Sequence, residues 1–353
     1  GYNALYSLEN EIINISKEKP FILCGPFVSK YVLDKTFIDN LRKIGTVKEF
    51  GGECTDEEID KCVSIASKNK CDSIIGIGGG KVLDTAKAVS DILDIAVITI
   101  PTSLTNAAGS ALSVIYTNDG KFKEYKFLKN NPNIVIVDSK IITHLSIRLF
   151  AAGIGDALAT CFEAESCKIK HVKNMANGYI TDTAFNVAKF CYDLLIEYGF
   201  QAKLACEEEI VTPALEHVIE AVILLSNIGF ENSGIAAAHA IHDGLTMLPE
   251  THDYFHGEKV AFGLLASLFL TDKPVNIIDS LYDYYIKMDL PISFRDIGLN
   301  GVDNERLLEA IDYIFAEGSS IYNEPVSFDK IDVLNALKMA NTYGIHKLGY
   351  IDE

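Results

Sequence analysis

Three segments of the 353-residue chain carry residue types that could do chemistry. The first is Ile77-Gly78-Gly79-Gly80-Lys81-Val82-Leu83-Asp84-Thr85-Ala86-Lys87. Three glycines between an apolar run and a helical pattern let a ligand come close to the backbone. The unfilled N–H groups of a helix start suit an anion such as pyrophosphate. This is not a Walker loop, because Val82 stands where a Ser or Thr would hold magnesium. Nor is it the G-x-G-x-x-G fingerprint: Gly76 and Gly78 fit, but Lys81 takes the last glycine position. A Gly-rich turn without a ligand is the plainer alternative. The second segment, Pro101-Thr102-Ser103-Leu104-Thr105-Asn106-Ala107, follows an apolar run. Its hydroxyls could bond a ribose or phosphate, or simply make a Ser/Thr turn. The third set is Asp156, His239 and His256. Two imidazoles and a carboxylate with open positions suit a catalytic divalent metal such as zinc or ferrous iron. The spacing is long, and His242 and His252 compete as ligands.

Positioning these residues takes two kinds of architecture. Up to about residue 140 the pattern alternates. Phe21–Cys24, Ser73–Ile77, Ile95–Ile100 and Ile134–Val137 read as strands. Thr55-Asp56-Glu57-Glu58 reads as a capping box opening a helix, and Lys81–Leu93 as a second helix. Ser113–Tyr116 and Phe122–Phe127 flank Asn118-Asp119-Gly120, a hairpin signal. Such alternation predicts a parallel sheet covered by helices, with ligands at the C-terminal edge of the strands. Beyond that the strand signals stop. Ile154–Ala164, Met175–Tyr198, Thr212–Ser226, Gly234–Thr246, Val260–Leu270, Val275–Met288 and Asn304–Phe315 read as helices. The expected domains are 1–143 and 144–353, an α/β nucleotide-binding domain and an all-α domain. Cys206-Glu207-Glu208-Glu209 reads as a solvated helix end.

Composition narrows the partners. With 31 basic and 49 acidic residues the net charge is −18, which argues against nucleic acid or an anionic membrane. No run of ~18 apolar residues implies a membrane span, and no basic-then-apolar stretch of secretory type opens the chain. The eight cysteines show no C-x-x-C spacing. They read as buried free thiols, as expected of a cytoplasmic protein.

Taken together, Gly78–Lys87, Ala111–Thr117, Ala152-Gly153-Ile154-Gly155-Asp156-Ala157-Leu158-Ala159-Thr160, AAAHAIHDG (236–244) and HGEKVAFG (256–263) resemble the glycerol dehydrogenase branch of the metal-dependent, iron-containing alcohol dehydrogenase family. The resemblance spans nearly the whole chain. It implies that family's dehydroquinate synthase-like fold, with metal and substrate in a cleft between the two domains. It implies one divalent metal, zinc or iron, on Asp156, His239 and His256. Other branches add a His four residues after the Asp, where this chain has Thr160. It implies NAD or NADP held at Gly78, Gly79, Gly80 and Lys81, with Asp84, Thr102 and Thr105 shaping that site and Asn106 and Ala107 beside the substrate. His242 is either a proton relay or a support of the ligands. The implied activity is interconversion of a small polyol or secondary alcohol with its ketone, in a homo-oligomer.

Two departures stand out. The branch carries an Asp after the first strand that holds the adenosine ribose; here the residues are Cys24-Gly25-Pro26. Measurable NADP(H) use is therefore expected; Lys30 is near enough in sequence to reach a 2′-phosphate, though an ordinary solvated lysine is the plainer alternative. The branch also carries a substrate-contacting Asp in the second segment; here Thr102–Ser110 is one residue shorter and Asn106 takes its place. Losing that carboxylate suits an acid substrate, so a 2-hydroxycarboxylate dehydrogenase (a 2-oxo acid reductase) is the alternative. A metal-dependent lyase of the dehydroquinate synthase type lacks a conspicuous Lys/Arg cluster to grip a phosphorylated acid. A non-catalytic regulator is hard to square with the intact Asp156, His239 and His256.

Overall fold

Short apolar runs pair side by side to make the sheet that carries the glycine turn. The computed structural model describes residues 1–26, 28 and 35–349; Lys30 lies outside the described residues. The strands are β1 (Pro20–Cys24), β2 (Thr46–Glu49), β3 (Ser73–Gly78), β4 (Ala96–Pro101), β5 (Leu112–Tyr116), β6 (Phe122–Phe127) and β7 (Ile134–Val135). Five of them form a parallel sheet in the order β2-β1-β3-β4-β7, and β5 and β6 form the expected hairpin. Ile22, Ile75 and Ile98 pack on one face against Leu8, Ile12 and Leu41. Phe21, Ile74 and Val97 pack on the other against Ile59, Cys62 and Val82. Burial on both faces is why these strands read as near-continuous apolar runs. The edge strand Thr46-Val47-Lys48-Glu49, polar at three of its four positions, gives no such signal. In this order the chain leaves β1 in one direction and β3 in the other, so the crevice for a ligand lies between their C-terminal ends.

The chain divides into two compact units, Gly1–Ser146 with Leu204–Asn227, and Ile147–Lys203 with Ile228–Glu353. Leu204–Asn227, expected in the helical domain, falls in the unit that holds the sheet. Its helix Pro213–Ser233 contains a π turn at Glu220–Leu225. This helix is long and apolar enough to cross a membrane by composition, but 67% of the relevant window is buried in the protein. The capping box forms by half. Thr55 accepts from the Glu58 N–H, while the Glu58 carboxylate turns away to Lys48 and the Gly51 N–H.

The second unit is helical, with shifted boundaries. Ile147–Lys170 runs through Gly153 and Gly155 and exceeds the expected segment at both ends. The helix expected from Met175 starts at Asp182, because Asn174 Oδ1 binds the N–H groups of Ala176 and Gly178 in a turn. The one expected from Gly234 starts at Ala237, since Gly234 sits at φ +109°. The one expected from Val260 starts at His256, where Glu258 Oε2 accepts the Phe255 N–H at 2.7 Å. Lys330–Lys347 is a helix that the sequence pattern did not single out. All eight cysteines are free. Burial pushes the thiols of Cys24, Cys54 and Cys161 up to about 12, which keeps them protonated and inert.

One buried cation organises the loop after β4. Lys87 is 1% exposed. Its Nζ donates to the carbonyls of Ala107 (2.7 Å), Ser110 (3.2 Å) and Leu112, donates to Ser110 Oγ (2.8 Å), and pairs with Asp84 Oδ1 at 3.0 Å. Removing it leaves a buried carboxylate and several carbonyls without their donor. Lys87→Met should therefore lower the free energy of unfolding by about 3 kcal/mol or more. Urea denaturation measures this, and a loss below about 1 kcal/mol would mean that other groups hold the loop.

Candidate active site

The glycine turn joins β3 to the helix Gly80–Leu93. A Cβ on Gly78 would strike Val82 Cγ2 at 2.6 Å, so that glycine lets the helix pack onto its strand. A Cβ on Gly79 would meet only Ser103 Oγ at 3.4 Å, and one on Gly80 only Thr105 Oγ1 and Ala107 Cβ beyond 3.5 Å. The space over these two positions is open. No side chain caps Gly79, which leaves the first N–H groups of the helix for an anion. The loop after β4 lies alongside. The Thr102 N–H donates to the Gly78 carbonyl at 2.9 Å, and Thr105 Oγ1 accepts the Ala107 N–H at 3.3 Å. Asn106 Nδ2 donates to Ser226 Oγ at 3.4 Å.

Two expected cofactor residues are engaged elsewhere. Lys81 Nζ lies on Glu53 Oε2 at 2.5 Å and over the Tyr116 ring. Asp84 is buried, takes the Val114 N–H at 3.2 Å and pairs with Lys87. It ties the helix to β5 and does not line the turn.

In the second unit, ligand atoms of Asp156, His239 and His256 all lie within 4.8 Å of one another. Close helix packing makes this possible. A Cβ on Gly257 would sit 1.9 Å from the Ala152 carbonyl oxygen, and one on Gly155 would sit 2.9 Å from Ala261 Cβ. These contacts draw His256–Leu270 against Ile147–Lys170, each beside a member of the trio. A Cβ on Gly263 would lie 2.5 Å from the Ala238 carbonyl oxygen, which brings in the helix Ala237–Leu245. Arg148 locks the arrangement by gripping Glu258 through Nε (2.6 Å) and Nη2 (2.8 Å).

Each imidazole is held from behind. His239 Nδ1 meets Glu163 Oε2 at 2.7 Å, while Glu163 Oε1 accepts the N–H groups of Ala236 and His239 at 2.9 Å. Glu324 Oε1 accepts the Ala237 N–H at 3.0 Å. His256 Nδ1 meets His242 Nε2 at 2.9 Å, and His242 Nδ1 meets Asp243 Oδ1 at 2.9 Å. Burial and the neighbouring His256 push His242 down to about 3, despite Asp243. His242 is thus neutral, with its proton on Nδ1 toward Asp243 and its Nε2 accepting from His256. The Nε2 atoms of His239 and His256 both face Asp156 Oδ1, from 3.4 and 3.3 Å. That oxygen is buried and accepts no hydrogen bond. Burial alone would raise the Asp156 carboxyl, but His256 and His239 hold it well below the usual carboxylate range. Burial likewise opposes charge on His239, yet Glu163 and Asp156 raise its pKa well above the ordinary imidazole value. Once His239 gives up its Nε2 proton, two imidazole nitrogens and a carboxylate oxygen converge on one point, and this N/N/O set fits zinc or ferrous iron.

Sequence reasoning missed Glu163, Glu324 and Arg148. Only Glu163 carries a signal: it lies seven residues after Asp156, two turns along the same helix face. His252, the other competing histidine, bonds the Thr246 carbonyl at 3.0 Å and stands outside the cluster.

Residues 1–139 match the family model for iron-containing alcohol dehydrogenases. A glycerol dehydrogenase of Thermotoga maritima is 48% identical over 98% of this chain and 94% of its own. The crystal structure of a probable glycerol dehydrogenase from Sinorhizobium meliloti superposes with a TM-score of 0.90 at 34% identity, covering 99% of this chain and 96% of that one. That of glycerol dehydrogenase from Schizosaccharomyces pombe gives 0.90 at 32%, covering 99% and 91%. Identity of this extent, over nearly complete chains and the same fold, places the protein in the iron-containing alcohol dehydrogenase family, within its glycerol dehydrogenase branch.

Proposed function

We propose that the chain is a metal- and nicotinamide-dependent oxidoreductase that interconverts a small polyol with its ketone. The observation that carries this reading is the convergence of three ligand atoms on one point, with both imidazoles braced from behind. Asp156, His239 and His256 would hold the divalent metal. Gly79, Gly80 and the first N–H groups of the helix Gly80–Leu93 would hold the pyrophosphate, with Ser103 and Thr105 alongside. When bound, the metal supplies Lewis acidity that lowers the alcohol pKa, and the nicotinamide supplies the hydride acceptor. The protein's residues align and insulate. Glu163 keeps the His239 proton on Nδ1, and His242 keeps the His256 proton on Nδ1. His242 therefore acts as an orienting support. Lys81 and Asp84 act one step back, through Glu53 and Lys87. The reading includes a cytosolic setting, in keeping with the free thiols. It also includes assembly with further copies, in keeping with Ile196, Phe200 and Leu204 exposed every fourth residue along one helix.

His239→Ala should lose metal and activity together, whereas His242→Ala should keep its metal with affinity weakened about tenfold. Metal analysis after dialysis decides. A His239→Ala protein with full activity and one metal per chain would remove His239 from the ligand set.

Metal affinity should depend on pH. In the metal-free protein the raised pKa of His239 keeps its ring protonated at neutral pH, so an entering zinc ion must displace that proton. Apparent affinity should rise at least ~tenfold per pH unit between about pH 5.5 and 7, with about one proton released per ion. Calorimetry in buffers of different ionisation enthalpy reads the release, and a pH-independent affinity would contradict the assignment.

Absorbance at 340 nm with diols, hydroxy-acids and 2-oxo acids, each with NAD(H) and NADP(H), tests the activity itself. Lyase chemistry or pure binding leaves that absorbance unchanged. Asn106 supplies an amide where a carboxylate would repel an acid, so the site should tolerate 2-oxo acids. Asn106→Asp should shift preference toward neutral polyols by about tenfold. A wild type that ignores every 2-oxo acid yet oxidises glycerol briskly would overturn this reading of Asn106.

A further inference from the structure

The sheet order fixes which way a dinucleotide must lie. Its pyrophosphate sits over the turn after β3, at the centre of β2-β1-β3-β4-β7. The nicotinamide end belongs over β4, whose following loop carries Asn106. The adenosine end then runs the other way, over the ends of β1 and β2. The residue after β1 is Gly25, which has no group to read a ribose. A dinucleotide-binding sheet ordinarily offers a carboxylate there to the ribose 2′-hydroxyl.

The neighbouring strand supplies one. Glu49 ends β2 and stands in register with Cys24, the last residue of β1. The Phe50 N–H donates to the Cys24 carbonyl at 2.8 Å, and the Gly25 N–H to the Ile77 carbonyl at 2.9 Å, so the pairing is firm to the very edge. Paired residues of parallel strands project from the same face. The thiol of Cys24 accordingly senses the Glu49 charge. Strands lie about 4.8 Å apart, and a glutamate reaches one methylene further than an aspartate. Two other carboxylates at this edge are already committed: Glu53 to Lys81, and Glu58 to Lys48 and the Gly51 N–H. Glu49 is exposed, and among the described residues its carboxylate meets no cation and accepts no hydrogen bond.

We propose that Glu49 accepts a hydrogen bond from the 2′-hydroxyl of the adenosine ribose and so takes over, from one strand away, the discrimination that Gly25 cannot perform. The proposal rests on the reading that the chain binds a nicotinamide dinucleotide, and it narrows the NADP(H) use expected from Gly25 alone. Space exists for the alternative arrangement. A Cβ on Gly25 would make only ordinary contacts, at 3.5 Å, with Val28 and Val82.

The test is binding, read from the fluorescence of the reduced nicotinamide, with NADH, its 2′-deoxy analogue and NADPH. Wild type should bind NADH about tenfold tighter than the 2′-deoxy analogue. Glu49→Ala should bind the two alike. Glu49→Gln, which keeps the shape and drops the charge, should gain about tenfold for NADPH. Adding Gly25→Asp to Glu49→Ala should restore the preference for NADH over the 2′-deoxy analogue, a rescue that a merely structural role for Glu49 does not predict. Equal discrimination by wild type and Glu49→Ala would overturn the proposal and leave the functional reading standing. A wild type that loads zinc but binds none of the three nucleotides would overturn both.

Discussion

Three helices of the second unit approach one another more closely than side chains allow. The backbone of Gly257 lies against Ala152, and that of Gly263 against Ala238. Neither position has room for a methyl group. Because each contact is next to or near a member of the Asp156, His239 and His256 trio, interhelix distance and ligand geometry are one and the same constraint. The HGEK run shows this in four consecutive residues. His256 points at the shared centre, Gly257 sets the approach, Glu258 caps the helix and takes Arg148, and Lys259 reaches the Thr251 carbonyl. A structure built this tightly around a carboxylate and two imidazoles draws a positive charge to one point, a proton on His239 or a divalent cation in its place.

The first unit solves a different problem. Its glycine turn needs open space on one side and rigid support on the other. The support is polar and buried: Lys87 gathers three carbonyls, a hydroxyl and Asp84. A hydrophobic side chain there could fill the volume but could not fix the loop's carbonyl directions. This explains why two charged residues of the Gly78–Lys87 run, Asp84 and Lys87, are among the most buried charges in the protein. They shape the loop whose hydroxyls lie beside the turn.

The middle of the sheet was readable because β1, β3 and β4 are apolar on both faces and each stops at Gly or Pro. Phe21–Cys24 and Ser73–Ile77 needed only an added residue at an end. The metal trio became readable through the words around it, G-I-G-D-A-L, A-A-H-A-I-H and H-G-E-K, since spacing alone left His242 and His252 in contention. What stayed hidden depends on long-range closure. Glu324 reaches back 87 residues to the Ala237 N–H. Arg148 meets Glu258 across 110 residues. Nothing local marks either pairing. Lys81 was legible as a cation at a helix start, but its partner Glu53 was not, and the partner decides where the charge goes. The edge strand β2 was missed because three of its four residues are polar, and helix boundaries moved where an Asn174 turn, the positive φ of Gly234 or the Glu258 cap set the start.

Glu163 has two duties that cannot be separated. It orients the His239 ring, and it also closes the N-terminus of the helix on which His239 rides. His256, by contrast, is part-exposed and caps nothing. The two residues would therefore follow different fates in a descendant released from selection for catalysis. His256 could drift first at little cost to folding, while Glu163 would persist as a fossil of the lost reaction, held by the backbone amides it satisfies. A paralogue that keeps the buried glutamate without the histidines would thus record an ancestry in catalysis that its own chemistry no longer shows.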